Sequence, residues 1–144
     1  MKEITFNKDQ IVFLQGEFSS VMYDIISGKI GIFTDYQTEN EERIAELQSG
    51  EIFGEMGMVE DFPRSATAVA LEDGTMLVEL GESDLTEYLK DKPEKILQVM
   101  RQVSKRIRET TQNYVDVCRT LNDSRHVKNA LNDYASLYRT NWVR

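Results

Sequence analysis

Cysteine, histidine and proline are nearly absent from this chain of 144 residues, which has one, one and two of them. The lone Cys118 cannot close an internal disulfide, and one thiolate cannot hold an iron–sulfur cluster, which normally takes four. The lone His126 leaves no histidine-rich cluster for a catalytic metal. Both residues fall in the C-terminal third, so no nucleophile–base pair is on offer either. No apolar run approaches the roughly 20 residues needed to span a bilayer. The N-terminus, MKEITFNKDQ, has no apolar signal core, so a cytoplasmic chain without a membrane partner is expected.

What is present fits a folded globular chain, with 40% hydrophobic and 29% charged residues. The length suits one domain with a real core. The net charge of −8 is unevenly spread: residues 1–93 carry 7 basic and 20 acidic side chains, residues 94–144 carry 10 and 5. An acidic domain repels anions at long range, so an anionic ligand would need local groups to hold it. The basic part could face an acidic partner; a solvated helix surface is the simpler account.

Up to residue 80 the pattern is that of short strands. Glu3–Phe6, Ile11–Leu14, Met22–Ile26, Lys29–Thr34, Arg43–Leu47 and Thr75–Leu80 are apolar-rich or alternating. Gly16-Glu17 reads as a turn. Ser27-Gly28-Lys29 and Asp73-Gly74 read as hairpin signals, and 35–42 reads as an exposed loop. Even spacing of this kind predicts a β-sandwich or jelly roll.

The most informative stretch is 53–70, FGEMGMVEDFPRSATAVA. Gly54 permits a tight turn or close approach to a ligand. Glu55–Val59 can form one helical turn whose first amides, that of Met56 among them, suit an anion. Arg64 returns a permanent planar cation, and Ser65 a hydroxyl donor. A carboxylate at Glu55 is wrong for phosphate but right for accepting from a sugar hydroxyl. Together these residues suit one ligand that carries both groups. Arg64 is expected to be placed for that ligand rather than for the core. The alternative is a surface turn with an Arg64–Glu55 ion pair.

Phe53, Gly54, Glu55, Pro63, Arg64, Ser65, Ala66 and Thr67 at this spacing resemble the phosphate-binding cassette of the cyclic nucleotide-binding domain. That domain occurs in the catabolite activator family, in the regulatory subunit of cyclic-AMP-dependent protein kinase and in cyclic-nucleotide-gated channels. The resemblance covers residues 4 to about 121. It implies that Glu55 holds the ribose 2′-hydroxyl and Arg64 the cyclic phosphate. Ser65 and the amides after Gly54, including Met56, complete the cradle. It implies a cyclic nucleotide as ligand, with no metal and no catalysis. Serine at position 65 leans towards cyclic AMP over cyclic GMP. The absence of a cysteine cluster argues against the oxygen-sensing members. The implied fold is mostly β with C-terminal helices: a jelly-roll β-roll with a short helix (1–91), a long heptad helix (92–121) and a C-terminal helix (122–144).

The helical part is also legible without the resemblance. Ser83 is a candidate N-cap for a short helix, Asp84–Lys90, and Pro93 opens the next. Glu94–Leu121 has neither glycine nor proline. Ile96, Met100, Val103, Ile107, Thr110, Tyr114, Val117 and Leu121 recur at heptad spacing, which predicts a homodimer through this helix, although the same seam could pack against its own roll. Thr110 is polar in that seam, as a hydroxyl bonded back to the helix or a register-setting position. The resemblance gives Thr110 and Thr111 a sharper role, contact with the nucleotide base, because the catabolite activator carries adjacent hydroxyl residues there.

Val127, Ala130, Leu131, Tyr134, Leu137 and Tyr138 share one face of a last helix. With the chain ending at Arg144, no recognition helix is expected and direct DNA binding is disfavoured. The resulting expectation is a cyclic-nucleotide sensor that signals through its C-terminal helices to an unknown protein. The alternatives are a dimerisation protein with a vestigial pocket and a fragment of a DNA-binding regulator. An enzyme on a cupin-like roll is disfavoured.

Overall fold

The computed structural model describes residues 1–60 and 62–121. Eight strands dominate the first hundred residues: β1 (Lys2–Phe6), β2 (Ile11–Phe13), β3 (Val21–Ser27), β4 (Lys29–Thr34), β5 (Glu42–Gln48), β6 (Ile52–Phe53), β7 (Thr67–Ala70) and β8 (Thr75–Gly81). Among the described residues three helices accompany them: α1 (Glu55–Val59), α2 (Glu82–Asp91) and α3 (Glu94–Leu121). The chain divides into two compact units, residues 1–100 and residues 101–144.

The strands form two four-stranded antiparallel sheets, ordered β1-β8-β3-β6 and β2-β7-β4-β5. Among consecutive strands, only β4 and β5 are hydrogen-bonded neighbours. This corrects two expectations. Ser27-Gly28-Lys29 and Asp73-Gly74 do not close hairpins; each carries the chain from one sheet to the other. Gly28 is required at the first corner. Its φ is 84°, and a Cβ there would meet the Thr75 Oγ1 at 2.3 Å and the Thr75 Cα at 2.8 Å. At the second corner the Thr75 hydroxyl donates to the Glu72 carbonyl at 2.8 Å. Turn residues permit a reversal, but which strand becomes the neighbour depends on the sheet that accepts it.

The core lies between the sheets. Tyr23, Ile25, Phe53 and Leu77 from one sheet meet Ile30, Leu47, Ala68 and Ala70 from the other. The second face of the β1-β8-β3-β6 sheet is buried as well. Met22, Ile52, Val78 and Leu80 pack there with Tyr88, joined by Met58 of α1, Leu85 of α2 and Val99 of α3. Strand period two thus sends alternate residues of β3 into two different cores, which is why Val21–Ile25 reads as a nearly continuous apolar run rather than an alternating one.

Helix α2 begins two residues earlier than expected. Gly81, not Ser83, is the cap residue, and the Asp84 carboxylate accepts from the Gly81 N–H at 3.2 Å. Helix α3 spans the expected residues. The seam residues Ile96 and Met100 of the first unit are exposed in the single chain, as are Val103, Ile107, Tyr114 and Val117 of the second. The expected last helix, His126 and the segment 122–144 lie outside the described residues.

Candidate functional site

The site is built where β6 ends. Gly54 caps α1 in the left-handed region with φ 79°, a conformation that favours glycine. It turns the chain so that α1 lies beside β3. After α1 the chain returns through Pro63 and Arg64 to β7. Arg64 is pinned by its backbone: its N–H donates to the Glu17 carbonyl at 2.8 Å, and its carbonyl accepts from the Gly16 N–H at 2.8 Å. Thr67 ties the same loop, its hydroxyl accepting from the Gln15 N–H at 3.0 Å.

The Arg64 side chain runs inward and is only 4% exposed. One terminal nitrogen, Nη1, donates to the Gly54 carbonyl at 2.6 Å; the other, Nη2, donates to the Val21 carbonyl at 2.6 Å. The guanidinium carbon lies 4.2 Å from the centre of the Phe13 ring, a cation–π contact. Phe13, Tyr23 and Phe53 form a mutual aromatic cluster with ring centres 5.3–6.0 Å apart. Two glycines leave room for the guanidinium. A Cβ on Gly54 would stand 2.8 Å from Nη1 and one on Gly57 2.9 Å. Among the described residues Nε is buried without a hydrogen-bond partner. Arg64 is therefore a structural residue, contrary to the expectation that it is placed for a ligand rather than for the core.

Burial lowers the Arg64 pKa from its ordinary value, while Tyr23, Glu17 and Glu55 oppose that shift. Even so shifted, a guanidinium stays charged at neutral pH. Buried and cationic, it is a strong attractor for an anion, because low polarity magnifies charge interactions. Tyr23 is pushed up to about 12 by burial first and by the neighbouring Glu79 carboxylate next. Its hydroxyl donates to Glu79 at 3.2 Å.

Of the residues picked out in the sequence, Gly54, Glu55, Met56, Arg64 and Ser65 all belong to the cassette within the first unit. Glu55 is half-buried in the first turn of α1, close enough to influence Arg64 electrostatically; Met56 and Ser65 are exposed. Thr110 and Thr111 belong to the second unit, where both are exposed. The Thr111 hydroxyl donates back to the Ile107 carbonyl at 2.8 Å.

Sequence reasoning missed Phe13, Tyr23 and the Val21 carbonyl. A carbonyl leaves no trace in composition, and an aromatic residue in a strand reads as core.

The family described as cyclic nucleotide-binding domain matches residues 3–92. The chain belongs to that family. Over 98 residues this cyclic nucleotide-binding domain is 34% identical to a cyclic AMP receptor protein of Thermus thermophilus, covering 68% of this chain and 45% of that one. The crystal structure of Thermus thermophilus catabolite activator protein superposes with a TM-score of 0.65 at 29% identity, over 78% of this chain and 52% of the other. The cAMP-bound form of the EAL enzyme Bd1971 superposes with a TM-score of 0.55 at 33% identity, over 77% of this chain and 30% of the other; the same enzyme is also solved in a cGMP-bound form. The chain spans about half the length of the curated relatives it matches first. It has the architecture of a cyclic nucleotide-binding domain. Among the described residues, no helix is long and apolar enough to cross a membrane.

Proposed function

We propose that this chain binds a cyclic nucleotide, cyclic AMP in preference to cyclic GMP, and acts as a regulatory module rather than an enzyme. One observation carries the reading: a desolvated guanidinium lies in a two-glycine slot beside a carboxylate. An arginine has five N–H bonds, and two of those on Arg64 reach carbonyls. The rest remain available in kind for a cyclic phosphate. Glu55 accepts from the ribose 2′-hydroxyl, and Ser65 with the amides after Gly54, that of Met56 among them, completes the anion's hydrogen bonds. Thr110 and Thr111 contact the base. The two sheets close as a jelly roll, and the exposed heptad seam of α3 pairs with a second copy of the chain. The protein is cytoplasmic and passes its signal to another protein by moving its C-terminal helices. The signal arises because the nucleotide binds two placements of those helices with different affinity.

Isothermal titration of the purified protein with cyclic AMP and cyclic GMP tests this. Saturable binding is expected, tighter for cyclic AMP, and absent for a nucleoside that lacks the phosphate. Failure to bind either nucleotide at millimolar concentration would leave a dimerisation protein with a vestigial pocket.

A further inference from the structure

The lone acid of the apolar run Val21–Ile25 has no part in the cassette. Asp24 is 0% exposed, in a position where an unpaired carboxylate would be prohibitively placed. Its two oxygens are both engaged. The Lys95 ammonium sits 2.8 Å from Oδ1, and the Tyr88 hydroxyl donates to Oδ2. Lys95 also donates to the Gly50 carbonyl at 3.0 Å. Lys92 donates to the Tyr88 hydroxyl at 3.1 Å and stands over its ring. Lys95 occupies the first turn of α3, where a cation opposes the helix dipole. That cost makes sense if the charge is there for Asp24 rather than for the helix.

Two cations thus grip one ribbon. Strands β3 and β6 pair through Tyr23 with Phe53 and Asp24 with Ile52. Arg64 bonds the carbonyls of Val21 on β3 and Gly54 just after β6. Lys95 bonds Asp24 on β3 and Gly50 just before β6. The first cation comes from the cassette, the second from α3. Val21 and Asp24 are three residues apart, about 10 Å along a strand.

We propose that the β3–β6 ribbon couples the cassette to the start of α3, with Lys95 as the helix-side clamp and Asp24 and Tyr88 holding it in place. This rests on the nucleotide reading above, whose regulation it specifies. An anion on the remaining N–H bonds of Arg64 pulls the guanidinium against its bonds to the Val21 and Gly54 carbonyls. The ribbon is then held differently at that end, and the change is handed to Lys95 through two hydrogen-bonded strands. A buried ion pair suits this task better than an apolar contact, because it is satisfied in one geometry and costly in others.

The test is hydrogen exchange of residues 94–100, with and without cyclic AMP, in the wild type, Lys95→Met, and the double variant Asp24→Asn/Lys95→Met, which leaves no uncompensated charge. In the wild type, cyclic AMP should change the exchange of this segment by about fivefold or more. In both variants that response should fall below about twofold while titration still detects bound nucleotide. A response unchanged in the double variant overturns the coupling and leaves the site standing. A wild type that binds cyclic AMP without any response in 94–100 also overturns it. A wild type that binds neither nucleotide overturns the site, and the coupling with it; titration tells these outcomes apart.

Discussion

Two buried ions are engaged with the same pair of strands, and they are satisfied in opposite ways. Asp24 has a full countercharge and a hydroxyl, one on each oxygen. Arg64 has two neutral carbonyls and an aromatic face, and its Nε is buried without a partner among the described residues. A charge that is fully paired inside a protein has done its work on folding. A charge that is desolvated but hydrogen-bonded only to dipoles keeps its attraction for an opposite charge, which is the condition an anion site needs. The contrast separates the structural ion from the candidate binding ion without reference to any relative.

The contrast is broken most severely by Lys95→Met. It strands the Asp24 carboxylate, and a loss of about 3–5 kcal/mol is expected in urea unfolding. Adding Asp24→Asn should recover much of that loss, since no charge is then left unpaired; if the double variant is no better than the single, the pair is not what the stability depends on. Arg64→Ala is next, at about 2–3 kcal/mol, because it leaves two carbonyls without their donor. Unlike Lys95→Met, it should also abolish nucleotide binding by titration. A variant that keeps wild-type affinity would mean that the under-satisfied cation is not the anion's partner.

The smallest effect concerns Tyr23, between the two ions on β3. Its pKa is about 12 in the folded protein against 10 when exposed. The folded state therefore favours the protonated phenol. Its contribution is complete below pH 10 and is lost as pH rises towards 12. Stability should fall by about 1 kcal/mol by pH 11 on this account. Tyr23→Phe should flatten the decline, and an unchanged alkaline profile would remove Tyr23 as its source.

Local chemistry made much of this legible. The Lys29–Thr34 strand, the Glu55–Val59 turn and the Glu94–Leu121 helix lie where residue pattern places them, because period and breaker residues act over a few neighbours. Gly54, Glu55, Arg64 and Ser65 were readable as a candidate anion site from residue type, and as a candidate cassette from the resemblance of their spacing to a known family. Asp24 in an apolar strand and Lys95 in a first helical turn were not singled out in the sequence. Neither one names the other, since 71 residues separate them.

Residue pattern alone sets where chain reversals are allowed, which residues can carry charge to a site, and which helix bears an apolar seam. These follow from backbone freedom, side-chain chemistry and period, all properties of short segments. The packing of the two sheets made two apparent hairpins into corners between sheets. It alone put Arg64 under Phe13 on the carbonyls of Val21 and Gly54, and it alone made Asp24 and Lys95 a pair. Strand neighbours and buried partners are chosen by long-range packing: a carbonyl or a countercharge becomes a partner only when the sheets close and water is removed from between them.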